Sequence, residues 1–343
     1  MALFVSDREE QLMKKIIVMV AYVCCFFSFG ISVFADSNSY SVTPLSPENQ
    51  KEDSPGYFDL KVIPNQKQTL KVMIENTSDK EQHYKIYVNT AATNQNGIID
   101  YSIGDLKKDT SMEFSLQDLI ELKDPQVAIS ANSQKEVTMI LSVPEKLFNG
   151  VLLGGITIEP VTKNNEKEIN NVLTRTLAIQ LTESEDEIQP EVKAGAVSIS
   201  QENLRNNVSI ELRNIKPVVL TKVTANISIR KAKEEKSIIE QKRENLSFAP
   251  NTSFKLMNEW NKPFESGEYI YSIELNDEKD NKWHFEKKFT IQEKEAKTFN
   301  ETSVVDYKND KHSFQLYTCL VLVLLFLSGI LYWKRIKAEN KVE

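Results

Sequence analysis

The chain has 343 residues, enough for two medium-sized domains and targeting segments. Hydrophobic residues at 41% and charged residues at 27% are the proportions of folded globular material, not of a disordered or fibrous chain. A formal net charge of −7, with lysines and acids interleaved along the chain, excludes the basic footprint of a nucleic-acid binder.

The N-terminal stretch reads as an export signal. Lys14 and Lys15 precede an apolar run from Ile16 to about Phe34, and Val33-Phe34-Ala35 supplies a cleavage site before Asp36. Met13-Lys14-Lys15 has the form of a natural start, which would make residues 1–12 an upstream extension. Cys24 follows Ala21-Tyr22-Val23, a poor lipid-attachment context. Cys24 and Cys25 fall in this run and Cys319 in the last one, so the material between contains no disulfide. Export without disulfides fits a Gram-positive cell surface better than a disulfide-stapled secreted scaffold.

From Asp36 onward nearly every segment alternates apolar and polar residues, the period of half-buried strands. Phe58, Leu60 and Val62 form one apolar row. Leu70, Val72 and Ile74 form the next, then Tyr84, Ile86 and Val88, then Val137, Met139, Leu141 and Val143 before Pro144. Val151–Ile158, with Gly154-Gly155 inside it, is nearly all apolar and predicts a strand buried on both faces. Leu177, Ile179 and Leu181 close the first set. Residues 92–130 form a less regular insertion in which Ser115–Leu122 predicts a short helix.

The acidic stretch Thr182–Gln189 marks a boundary near residue 186. A second strand set follows, with rows at Val208, Ile210 and Leu212, at Val223, Ala225, Ile227 and Ile229, at Tyr269, Tyr271, Ile273 and Leu275, and at Trp283, Phe285, Phe289 and Ile291. Lys287 breaks the last row. Arg230–Lys242 reads either as a helix or as a hairpin tip. The pattern as a whole predicts an all-β chain of two immunoglobulin-like antiparallel β-sandwich domains.

Lys294–Lys311 is charged and suits a stalk. Leu316–Trp333 is about 18 uncharged residues, enough to span the hydrocarbon, with aromatic rings near both edges. Lys334, Arg335 and Lys337 then place the C-terminus in the cytosol. The expected order is a signal peptide (1–35), a first sandwich (36–185), a second (186–293), a charged stalk (294–313), a transmembrane helix (314–334) and a basic cytoplasmic tail (335–343).

Catalysis fails on inventory. His83, His284 and His312 stand in unrelated places, and no metal, nucleophile or phosphate-loop motif is present, so no cofactor or metal is expected. One loop, Asn94-Gln95-Asn96-Gly97-Ile98-Ile99-Asp100, spaces oxygen ligands as calcium loops do, but only Asp100 is charged. Asn96-Gly97 is also the favoured pair of a type I′ hairpin turn. With Asn89 and Tyr101 added, Asn94, Asn96 and Asp100 are candidate glycan-binding residues, because amides beside an aromatic face suit sugars. Tyr57 and Phe58 start a strand and read as packing residues. Trp260, in the loop Asn258–Lys262, is the candidate partner-binding anchor, and Trp283 reads as core.

A run of blocks carries a family resemblance: Ser41-Val42-Thr43-Pro44, Gly56-Tyr57-Phe58-Asp59-Leu60, Asn76-Thr77-Ser78-Asp79, Asn94 to Tyr101, Gly150-Val151-Leu152-Leu153-Gly154-Gly155-Ile156, Leu204-Arg205-Asn206-Asn207-Val208, Ala249-Pro250-Asn251-Thr252 and Ser266-Gly267-Glu268-Tyr269. In this order, with the terminal segments, the chain resembles the WxL-interacting proteins of Gram-positive bacteria. The resemblance implies a peptidoglycan-binding domain followed by a host-binding domain, and assembly with WxL surface proteins. The chain has no Trp-x-Leu of its own, so it reads as their membrane-held partner. The expected function is a non-enzymatic scaffold and adhesin in the cell membrane, with peptidoglycan, WxL proteins and a possible host ligand as partners. The alternative is an assembly factor or chaperone for WxL complexes that does not itself bind the wall.

Overall fold

The computed structural model describes residues 40–51, 56–104, 107–161 and 172–304. The expected signal peptide, membrane helix and basic tail lie outside them. Among the described residues no helix is long and apolar enough to cross a membrane.

Alternation becomes sheet throughout. In the first module one sheet joins β1 (Tyr40–Leu45), β3 (Lys67–Asn76), β9 (Ser133–Ser142) and β7 (Ile120–Leu122), in that order. The facing sheet joins β2 (Phe58–Lys61), β11 (Arg175–Thr182), β10 (Val151–Pro160), β4 (Gln82–Thr90) and β8 (Gln126–Ile129). All neighbours are antiparallel except β2, which runs parallel to β11 over Ile179–Thr182. The apolar rows meet between the sheets, where Phe58, Leu60, Leu70, Ile74, Tyr84, Met139, Leu141, Ile156 and Ile179 form one core. Each such side chain contributes roughly 1.5–3 kcal/mol by leaving water.

The second module repeats this plan. Its sheets are β12 (Val192–Glu202), β13 (Arg205–Asn214) and β16 (Thr252–Glu259), facing β15 (Ser237–Phe248), β14 (Leu220–Lys231), β17 (Gly267–Asn276) and β18 (Lys282–Ile291). Taken in chain order, β12 to β18 reproduce the order and pairing of β1, β3, β4, β8, β9, β10 and β11.

A buried asparagine pins the same corner in both copies. Asn76, the last residue of β3, donates through Nδ2 to the carbonyls of Lys80, Ile129 and Ser130, and its Oδ1 accepts from Ser78. Asn214, the last residue of β13, donates to Val218 and Ala249 and accepts from the Lys216 amide. Both side chains are fully buried. Each satisfies turn carbonyls that would otherwise be orphaned away from water.

Two local expectations change in the structure, and one open alternative is resolved. The segment expected as one short helix divides into α1 (Leu116–Leu119) and the strand β7, because Ile120 and Leu122 find a partner in β9. Arg230–Lys242 is the tip of the β14–β15 hairpin, with Arg230 opposite Ser237. The first part of the expected stalk is the helix α2 (Glu293–Thr302), which packs against the second module instead of extending away from it. Ala296 is buried, Phe299 meets Phe264 at 6.0 Å, and Asn300 exchanges hydrogen bonds with the Phe264 backbone.

The strand Val151–Ile158 is buried on both faces from Leu153 to Ile158, as its composition predicts. Leu116 lies over Gly154 and Tyr101 over Gly155. A Cβ on Gly155 would meet Tyr101 Cβ at 2.7 Å, so this strand needs its glycine pair.

Candidate functional site

Two surfaces of the first module hold the candidate residues, and the structure separates them. The first is a hairpin, β5 (Ala92–Thr93) and β6 (Ile99–Asp100), whose tip reaches the second module. Asn94 Oδ1 accepts from the amides of Asn96 (2.9 Å) and Ile98 (3.2 Å), and the Gly97 amide donates to the Asn94 carbonyl at 2.9 Å. Gly97 has φ of +72°, whereas Asn96 is not among the residues with positive φ. The turn is therefore a type I turn closed by a left-handed glycine, not the type I′ turn its sequence suggested.

This tip fills the open side of the second sandwich, between its edge strands β15 and β16. The Ser247 amide donates to the Gly97 carbonyl (2.8 Å), and the Met257 amide donates to the Gln95 carbonyl (2.9 Å). Arg243 donates to the carbonyls of Asn96 (2.6 Å) and Met257 (2.9 Å), and the Ala249 amide donates to Thr93 Oγ1 at 2.8 Å. A Cβ on Gly97 would lie 3.1 Å from Leu256 Cδ1 and 3.2 Å from Leu246 Cδ2, so the tip touches the second core.

Asp109, one strap further along, takes a two-pronged bond from Arg213 at 2.7 Å per prong and two more from Ser111. The Arg213 guanidinium holds its carboxyl down at about 2. Asn251 donates to the Ser111 carbonyl, and the Val151 amide donates to the Pro217 carbonyl. Asn94 and Asn96 thus belong to a module-to-module joint. Asp100 spends one carboxylate oxygen on the Ser102 amide and hydroxyl, at 2.8 and 2.7 Å.

The second surface is the outer face of the five-stranded sheet. Asn89 on β4 donates to the Tyr101 carbonyl at 3.4 Å, so these two candidates come together. Tyr101 is half-buried, and burial first, then the nearby Tyr57, pushes its phenol pKa up. Tyr57 itself is 36% exposed, more than a packing role needs. Asp59 on β2 accepts from Gln180 on β11 at 3.1 Å and lies 3.6 Å from Lys51. Asn89 and Asp59 are themselves buried, at 3% and 7% exposed, so what the face offers to solvent is mainly Tyr57, with Tyr101 and Gln180 half-buried beside it. Sequence reasoning missed Asp59, Gln180 and the exposure of Tyr57, because the pairing of β2 with β11 joins residues about 120 positions apart.

Trp260 is not an exposed anchor. It is 2% exposed and lies 5.2 Å from Phe264 and 5.6 Å from Tyr269, ring centre to ring centre. Its amide donates to the Asn206 carbonyl, so the chain leaving β16 folds back and closes the end of the core. Trp283, in turn, is only half-buried.

Two sandwiches of one plan, locked by a hairpin, define a tandem-domain β protein. The chain belongs to the WxL-interacting proteins. Residues 40–160 match the family's peptidoglycan-binding domain, and residues 164–301 match its host-binding domain. The second match begins ahead of β11, a strand the structure pairs within the first module. No curated protein matches the chain. Among solved structures, a chaperone–tip adhesin complex of CFA/I fimbriae is similar at 14% identity and a TM-score of 0.32, covering 72% of this chain and 98% of that one. The YadV chaperone gives 8%, 0.31, 74% and 100%. The CsuC-CsuE chaperone–tip adhesin complex from Acinetobacter baumannii gives 12%, 0.30, 64% and 90%.

Proposed function

We propose that this chain is a non-enzymatic cell-surface scaffold whose first module binds peptidoglycan and whose second module contacts protein partners, WxL surface proteins and a host ligand among them. The tandem order of the two matched domains is the observation that carries this reading. In it, residues 1–35 are removed on export, residues 314–334 hold the protein in the membrane, and both modules face the wall. Tethering raises the local concentration of each module, so individual contacts can be weak.

The face formed by Tyr57, Tyr101 and Gln180, with the buried Asn89 and Asp59 bracing it from beneath, is the proposed glycan-binding surface. Rings offer a flat apolar surface to sugar C–H groups, while the phenol hydroxyls and the Gln180 amide take sugar hydroxyls. Asn94 and Asn96 act behind it by holding the joint, and Asp100 fixes the chain at Ser102. Co-sedimentation of the full-length chain with isolated sacculi tests this. Tyr57→Ala should cut retention about tenfold, a loss of about 1.4 kcal/mol, with the thermal transition unchanged. If the unaltered chain stays in the supernatant yet captures a WxL protein stoichiometrically, the assembly-factor reading replaces wall binding.

A further inference from the structure

Exposed strand edges are where one protein can add its backbone to another, and the two modules treat theirs differently. Every edge strand of the first module is short: β1, β2, β7 and β8 have 6, 4, 3 and 4 residues. The second module's edges are longer, yet three of them are managed. β12 is bulged between Ala194 and Val197, β15 shifts register at three places, and the hairpin tip bonds to both β15 and β16.

β18 has no bulge and no bond from the hairpin, although β12 of the facing sheet passes close beside it without bonding to it. It pairs with β17 over ten residues without a bulge, and no described strand pairs with its other edge. The equivalent edge in the first module, β11, is partly covered by β2. That module can do so because its first strand divides between the two sheets, whereas β12 stays with β13 throughout.

The side chains along β18 state what would fit. Trp283 and Phe285 point toward the core but remain half-buried, an apolar lip at the sheet edge. Lys282, Lys287 and Lys288 form no ion pair with another described residue, in a chain whose net charge is −7. Glu286 is the strand's one acid, so the edge is basic. A second copy of β18 carries the same three lysines and one acid, so self-pairing sets net positive charge against net positive charge.

We infer that the free edge of β18 is a docking site for an extended segment of a partner protein, alternately apolar and acidic, which adds to the sheet as β2 adds beside β11. Its main chain pairs with β18, its apolar side chains cover Trp283 and Phe285 on the inner face, and its acids meet Lys282 and Lys288 on the outer face. The inference deepens the partner-binding half of the proposed function and rests on it.

The test uses the full-length chain and a short synthetic peptide alternating aspartate with phenylalanine and leucine. A counterpart with lysine in place of aspartate is the control. Residue-resolved hydrogen exchange should show the outward amides of β18 slowed about tenfold by the acidic peptide only. The double variant Lys282→Glu with Lys288→Glu should lose that protection and gain it with the basic peptide. Unchanged exchange in β18, protection at a different edge, or protection indifferent to charge reversal overturns the inference. So does concentration-dependent protection of β18 without peptide, which would mean self-association. Retention on sacculi is measured in parallel. Wall binding with an unprotected β18 sinks this inference alone, and a protected β18 without wall binding sinks the wall reading alone.

Discussion

The two modules share a strand plan and a buried corner asparagine, yet they are finished differently. The first closes itself: its insertion supplies α1, β7 and the β5–β6 hairpin, and its divided first strand covers part of β11. The second borrows. The first module's hairpin seals the opening between β15 and β16, α2 and the Trp260 loop seal one end, and no described strand bonds to the second edge of β18. A shared topology therefore fixes where edges arise, and the segments added around it decide which edges remain available to partners.

Trp260→Ala should separate the borrowed seals from the core they cover, and it carries the largest expected effect. Loss of a buried ring costs about 3–5 kcal/mol, so calorimetry should show the second module melting early. If the variant instead keeps its stability and loses a partner, Trp260 is an anchor after all. Gly97→Val attacks the seal from the other module. It forces a branched residue into φ of +72° against Leu246 and Leu256. A loss of about 2–4 kcal/mol follows, and the modules should then unfold in two transitions.

Asn76→Ala and Asn214→Ala compare the two corners directly. Each strands buried carbonyls and should cost about 1–3 kcal/mol. Equal losses, read from the module that melts, would sharpen the structural equivalence, and a tolerated Asn214→Ala would break it.

The smallest effect is a pH dependence of the joint. The carboxyl of Asp109 is held at about 2, below its ordinary value, so its contribution is complete above about pH 4 and fades as pH falls toward 2. The Arg213 side chain is 30% exposed, which screens the pair to about 1–2 kcal/mol. Asp109→Asn should flatten that acid limb in a series of thermal melts.

Much of this architecture is legible in the sequence. Period-two rows at Leu70, Val72 and Ile74 or at Val208, Ile210 and Leu212 specify strands and their inward faces without further information. The doubly buried Val151–Ile158 is equally plain, since it has almost no polar residue to expose. What pattern cannot carry is long-range placement. Asn96-Gly97 reads as a turn, but the burial of Gly97 depends on Leu246 and Leu256 some 150 positions later. Trp260 sits between polar neighbours and reads as exposed, and its pocket is made by Phe264 and Tyr269. The charged helix α2 hides its contact because only Ala296 and Phe299 on one side face the core. Of the glycan candidates, Asn89 and Tyr101 meet on one face, while Asn94 and Asn96 went to a joint that no local signal announces.

Amide hydrogen exchange on the full-length chain, with no partner added, tests the unequal finishing of the two modules most directly. Slow exchange is predicted for Ser247 and Met257, whose amides bond to the hairpin tip, and for Val62, whose amide bonds to the Thr182 carbonyl. The outward amides of β18 should exchange at nearly unprotected rates. Fast exchange at Ser247 and Met257, or a β18 as protected as its neighbour β17, would contradict the account.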